Sequence, residues 1–251
     1  MNALASRTAV ITGSSRGVGA DTAKLLAAEG MNVVVNYRQK APRANKVVKE
    51  IEEAGGRAVA VGADLTNEQD VDTLMQTAVD EFGGLDLLIL NASGGMETGM
   101  GEDYALRLNR DAQVNALKAA LTRMQPGGRV VFVTSHQAHF INEVETMDEY
   151  REVAKSKRAG EDALTAMIPQ MSKQGVSFVV VSGDMIEGTV TATLLNRAQP
   201  GALESRREAA GRLYSVAEFA QEIATMAKAD VETGHIELVG GAEDFLAQIR
   251  K

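Results

Sequence analysis

The residues best suited to chemistry lie near the start of the chain, in the run Thr12-Gly13-Ser14-Ser15-Arg16-Gly17-Val18-Gly19. Three glycines stand there, separated by three residues and then by one. Gly13 can take a backbone shape that a Cβ forbids. Residues 7–11 before the run are short, apolar and β-branched, which predicts a buried strand. Residues 20–29 after it carry Ala23, Leu25, Leu26 and Ala27 at helical spacing, with Gly30 as the stop. The glycines therefore mark the handover from strand to helix. At such a handover, unpaired N–H groups and the positive end of the helix dipole can hold a phosphate. Gly17 and Gly19 let a pyrophosphate approach and let the helix pack closely on its strand. Gly13, Ser15, Arg16, Gly17 and Val18 are the candidate contacts. A turn with no ligand is the competing reading. The spacing is not the one-then-two of the common dinucleotide fingerprint, so the strand–turn–helix context carries the assignment.

The elements that must position this turn follow from periodicity. Further strands are predicted at 32–37, 58–63, 85–90, 129–134, 177–181 and 236–239. Helices are predicted between them, at 43–54, 68–82, 102–124, 148–172 and 216–227. Strands that are apolar on both faces and alternate with helices make a parallel sheet covered on both sides. Right-handed crossovers and an early phosphate turn then give a single α/β domain over 1–251, a doubly wound parallel sheet of about seven strands. Ligands of such sheets bind beyond the carboxyl ends of the strands.

Composition bounds the function. The chain has 251 residues, 45% of them hydrophobic and 24% charged, with a formal net charge of -8. That balance argues against non-specific binding to nucleic acid or an anionic membrane. With no cysteine, thiol nucleophiles, disulfides and zinc–thiolate sites are excluded. No metal site is expected. No segment approaches the ~18 apolar residues of a membrane span, and no long apolar signal stretch opens the chain. A soluble cytoplasmic protein is the expectation.

The end of the second strand selects among nucleotides. An acid about 20 residues after the turn would bind ribose hydroxyls, as in NAD enzymes. Here the strand ends Asn36-Tyr37-Arg38, and residues 31–49 hold no acid, only Arg38, Lys40, Arg43, Lys46 and Lys49. A solvated helix face accounts for Lys46 and Lys49. Arg16 and Arg38 point instead to the 2′-phosphate of NADP(H), since a guanidinium forks onto phosphate oxygens. Tyr37 sits beside them.

The run from Thr12 to Gly19 resembles the cofactor turn of the short-chain dehydrogenase/reductases, and matching motifs extend the resemblance over residues 6–241. The resemblance implies a Rossmann-fold oxidoreductase acting on a ketone or alcohol with NADP(H), assembled as a homotetramer or homodimer. It implies that Asp64-Leu65 contacts adenine, with a helix cap from Thr66 or Asn67 as the plain alternative. It implies that Asn91 steadies the sheet while Ala92 and Ser93 leave room for ribose. Ser93 stands where the family has glycine. Asn109 falls on the family's helix-borne active-site asparagine, which helps hold a water in a proton relay. Ser135 falls on the serine that hydrogen-bonds the substrate carbonyl. Gly183 and Ile186 follow the sixth strand as cofactor neighbours, with Ser182 in place of the family's proline.

One position departs from the family. Ser156-Lys157 aligns with its Ser–Lys pair, and the family has a tyrosine acid four residues before that lysine. The spacing of four puts both side chains on one helix face. A tyrosine pKa, normally ~10, falls beside an ammonium, so its hydroxyl can protonate a carbonyl oxygen. Here Val153 occupies that position, and the nearest tyrosine, Tyr150, lies seven residues before Lys157. On a regular helix that is roughly 10 Å away. Three arrangements remain open. Tyr150 swings in from an irregular segment; another donor such as His136, His139, a relayed water or a substrate hydroxyl serves; or chemistry is lost and the protein is an NADP(H)-binding sensor or scaffold. Lys157 would still hold the nicotinamide ribose. Residues 184–213 read as a mobile substrate lid. Met96, Met100, Met147 and Met185 are expected to rim the cleft for a bulky flat substrate or to fill the core.

Overall fold

Strand β1, Thr8–Ile11, is wholly buried and hands over at Gly13 to helix α1, Gly17–Ala28. The computed structural model describes residues 6–97 and 99–250; residues 1–5, Thr98 and Lys251 of the domain expected over 1–251 lie outside them. The chain continues through β2 (Asn32–Tyr37), α2 (Ala41–Glu53), β3 (Arg57–Gly62), α3 (Glu68–Phe82) and β4 (Leu85–Leu90). A short α4 (Tyr104–Leu106) runs through a π-turn, Arg107–Asp111, into α5 (Ala112–Leu121). Then come β5 (Met124–Ser135), α6 (His136–His139), a 3-10 turn at Asp148–Tyr150, α7 (Arg151–Thr165) and α8 (Ile168–Lys173). The last elements are β6 (Ser177–Gly183), α9 (Val190–Ala198), α10 (Ala202–Ala210), α11 (Val216–Met226), β7 (His235–Val239) and α12 (Ala242–Ile249).

All seven strands are parallel, in the order β3-β2-β1-β4-β5-β6-β7. The order reverses between β1 and β4, which opens a crevice at their carboxyl ends. Alternate residues of each strand feed two apolar layers. Val10, Leu88 and Val130 face Leu74, Leu117 and Leu164 on one side. Ile11, Ile89 and Val131 face Leu26, Ile51 and Ile223 on the other. Each such side chain, fully buried, contributes about 1.5–3 kcal/mol. The seven-stranded, doubly wound architecture agrees with the expectation.

Three departures bear on the site. The helix expected at 102–124 is interrupted by the π-turn at Asn109 and stops at Leu121, while Met124 already belongs to β5. The helix expected at 148–172 opens with the 3-10 turn and breaks before Pro169, which cannot supply a helix-interior N–H. The lid segment holds two helices, α9 and α10, that were not expected. Its ends are stitched together by Glu187 N–H donating to the Tyr214 carbonyl at 2.9 Å.

Candidate active site

The glycine turn is held from below. Gly13 has φ +63°, and its N–H donates to Asn36 Oδ1 at 2.9 Å. Ser14 Oγ donates to the Ile11 carbonyl and accepts from Asn36 N–H. Thr12 Oγ1 donates to the Ile89 carbonyl and accepts from the N–H groups of Asn91 and Ala92. Asn91 Nδ2 donates to the Thr12 carbonyl at 3.0 Å. Asn91 thus ties β4 to the turn, as expected of it. Gly19 lies so close that a Cβ there would stand 2.6 Å from Asn91 Nδ2 and 2.8 Å from the Gly13 carbonyl oxygen. Asn36, Thr12 and Ser14 were not singled out from sequence. A polar residue ending the apolar run of β2 was the available signal.

This helix start suits an anion. Arg16 stands at the N-cap, where Ser, Thr, Asp or Asn is favoured, and no side chain caps the helix. No acid occupies the first turn. Arg16 and Arg38 are both exposed, and among the described residues no carboxylate pairs with either, nor with Lys40 or Arg43. Tyr37 lays its ring over Gly62 of β3, where a Cβ would meet it at 3.0 Å. Asp64 Oδ1 accepts from Thr66 N–H and Oγ1, and Leu65 is buried in the core. The cap of α3 comes from Asn67, whose Oδ1 accepts from Gln69 and Asp70 N–H groups.

At the other end of the crevice is a cavity of about 160 Å³. That is close to the ~150 Å³ that admits a single benzene ring. Val18, Asn91, Ser93, Ser135, Tyr150 and Lys157 line it. Gly183, Met185, Ile186 and Leu195 close the lid side. Asp184, Gln137, Thr189, Thr191 and Phe219 also face it and were not anticipated.

The structure brings Tyr150 to the serine. The two hydroxyls lie 3.4 Å apart. The 3-10 turn makes this possible, because its tighter winding rotates Tyr150 off the face it would hold on a continued α-helix. Val153 packs instead into the apolar cluster under the lid with Leu195 and Leu213. Lys157 is 8% exposed, and its ammonium has no hydrogen bond or ion pair among the described residues. Thr134 Oγ1, lining the same cavity, is likewise buried without a partner. Unpaired polar groups of this kind fit a polar ligand above them. Asn109 Nδ2 donates to the Gly94 carbonyl at 2.8 Å and to Ser156 Oγ at 2.9 Å, and its Oδ1 accepts from Gly94 N–H. It fixes the loop after β4 against α7, one residue from Lys157. Gln113 Nε2 donates to the Ala92 carbonyl, holding the same loop.

Neither histidine lines the cavity. His139 Nδ1 is 2.6 Å from Glu161 Oε1. His136 is fully buried, with Nε2 2.7 Å from the Gly240 carbonyl and Nδ1 2.8 Å from Ser182 Oγ. A carbonyl only accepts, so Nε2 carries the proton and Ser182 donates to Nδ1. The serine that replaces proline thus ties the imidazole to β6. Of the methionines, Met185 lines the cavity, Met96 and Met147 pack beneath the lid, and Met100 packs on the core.

Burial pushes the His136 pKa below 6.5, with the Gly240 hydrogen bond and Asp184 opposing. Below that pH the unfolded chain binds a proton that the folded chain refuses. This stability term is therefore fully present above the unfolded pKa and lost as pH falls through it. Unfolding free energy measured by denaturant between pH 8 and pH 5.5 should fall more steeply for the wild type than for His136→Gln. Equal slopes would remove His136 from the account.

Among the described residues, no helix is long and apolar enough to cross a membrane, and no cluster of His, Asp and Glu is placed to hold a metal. The profile of the short chain dehydrogenase family matches residues 7–200. Over 143 residues the chain is 41% identical to a 3-oxoacyl-[acyl-carrier-protein] reductase of Synechocystis, covering 54% of this chain and 58% of that protein. Over 138 residues it is 37% identical to a hydroxynaphthalene reductase of Aspergillus fumigatus, covering 53% and 50%. The match spans about half the length of these curated relatives. A crystal structure of a short chain dehydrogenase from Burkholderia cenocepacia in complex with NADP superimposes with a TM-score of 0.80 at 26% identity. That likeness covers 96% of this chain and 98% of the other.

Proposed function

This chain belongs to the short chain dehydrogenase family, and from that premise we propose that it is an NADPH-dependent ketoreductase whose proton donor is the displaced tyrosine Tyr150. The observation that carries the reading is the meeting of the Tyr150 and Ser135 hydroxyls, 3.4 Å apart, in the cavity that Lys157 also lines. When bound, NADPH supplies the hydride. Ser135 donates a hydrogen bond to the substrate carbonyl oxygen, and Tyr150 delivers the proton to it as negative charge builds. Lys157 sets an unpaired ammonium where ribose hydroxyls can accept from it. The uncapped start of α1 takes the pyrophosphate, and Arg16 and Arg38 take the 2′-phosphate. The NADP complex of the Burkholderia protein supports that choice of cofactor.

For substrate we infer a flat ketone. The apolar Met185 and Leu195 side of the cavity supports this, as does the likeness to a hydroxynaphthalene reductase. The test is a fluorescence titration with NADPH and NADH, followed by NADPH oxidation with fused-ring ketones, small aliphatic ketones and acyl thioesters. NADPH bound tighter than NADH, and turnover with the ring ketones, are expected. Turnover confined to thioesters or aliphatic ketones overturns the substrate class. NADPH binding with no turnover of any ketone leaves the sensor or scaffold reading.

A further inference from the structure

Resting on the NADP(H) reading, we propose that Tyr104 is a positioning residue for Arg38 and, through it, a determinant of the preference for a cofactor carrying a 2′-phosphate. Arg38 leaves the carboxyl end of β2 as an exposed side chain with no carboxylate partner among the described residues. Among the described residues, its side-chain hydrogen bond and its ring contact are both with Tyr104. Its Nη1 donates to the Tyr104 hydroxyl, and its guanidinium carbon stands 5.7 Å from the ring centroid.

Tyr104 is a rigid anchor. It is 4% exposed, and its ring belongs to the apolar cluster that contains Leu65, Leu90 and Leu108. The chain reaches it 66 residues after Arg38, from the loop beyond β4. Its hydroxyl meets Arg38, which leaves the carboxyl end of β2. Burial raises its pKa above 10; Arg38 opposes this, and Glu97 and Asp64 add to it. The hydroxyl thus stays neutral and remains an acceptor for the guanidinium throughout the working pH range.

A guanidinium has five donors in a planar fork. With Nη1 occupied by Tyr104, the Nε–Nη2 edge keeps two parallel N–H groups free. That edge is the geometry that takes two oxygens of one phosphate. An arginine held in place also loses less side-chain freedom when the phosphate arrives. NADH, lacking the 2′-phosphate, draws nothing from this arrangement.

The test is equilibrium binding of NADPH and NADH to the wild type, Tyr104→Phe, Arg38→Ala and the double variant. Phenylalanine keeps the buried ring, and thermal unfolding checks that it does. Tyr104→Phe should weaken NADPH about three- to tenfold and leave NADH within about twofold. Arg38→Ala should weaken NADPH further, and the double variant should match Arg38→Ala alone, because the hydroxyl acts only through the guanidinium. An unchanged NADPH affinity in Tyr104→Phe, or equal weakening of both cofactors, overturns the inference. If Arg38→Ala lowers the NADPH preference while Tyr104→Phe does not, only this inference fails. If Arg38→Ala leaves the preference intact, the 2′-phosphate reading fails with it.

Discussion

Tyr150→Phe is expected to lower kcat for ketone reduction by about 10²–10⁴-fold, the range for loss of a positioned general acid. NADPH binding should stay within about twofold of wild type, because only a hydroxyl is removed. The ring stays, so its packing under the lid with Val153 and Met185 is preserved. The hydroxyl lies 3.4 Å from that of Ser135, so one carbonyl oxygen at the apex above the pair can accept from both. Ser135→Ala should therefore also depress kcat, and the double variant should lose less than the product of the two single losses, since both hydroxyls serve one oxygen. His136→Gln, whose imidazole is committed to Ser182 and Gly240, should spare kcat. If Tyr150→Phe keeps its rate while Lys157→Ala loses it, a relayed water is the donor and the displaced tyrosine is not.

How far the sequence foretold this site depends on how local each cause is. The glycine turn between β1 and α1 was legible because strand, turn and helix are consecutive and each has its own signal. The approach of Tyr150 to Ser135 was legible only as one of three open arrangements, because a spacing of seven is too long on a regular α-helix and nothing local announces that the three residues before Arg151 wind more tightly. The histidines show that adjacency in sequence is not adjacency in the site. Ser135 ends β5 at the cavity, whereas the next residue, His136, opens α6 and is consumed by partners 46 and 104 residues away. The π-turn at Asn109 hides in an apolar pattern that reads as unbroken helix. The lid helices and α12 were missed for a related reason. They are short, eight or nine residues each, few of their residues are core, and a long-range ion-pair network fastens them. Substrate and assembly state have no such local signature at all.

That network supports the second large prediction. Arg206 on α10 donates through Nε to both oxygens of Asp184 at 2.8 and 2.9 Å, through Nη1 to Asp244 of α12 at 2.7 Å, and through Nη2 to the Gly241 carbonyl at 3.0 Å. Its guanidinium also lies 4.6 Å from the Phe245 ring centroid. The Asp184 side chain is only 3% exposed, against 14% for Arg206. Removing one partner of such a buried pair typically costs about 3–5 kcal/mol, since the other charge is left uncompensated. Here the cost has a local outlet. On α9 and α10 only Ala192, Leu195 and Ala202 are buried, so these two helices, expected to form a lid, can detach without unfolding the sheet. Arg206→Met should therefore raise KM for the ketone about tenfold or more, quicken proteolysis between α9 and α10, and leave NADPH affinity unchanged. Adding Asp184→Asn removes the stranded charge and should recover much of the loss, which a simple packing defect at Arg206 would not allow. Unaltered KM and unaltered proteolysis in Arg206→Met would mean that the lid is held by its apolar contacts alone.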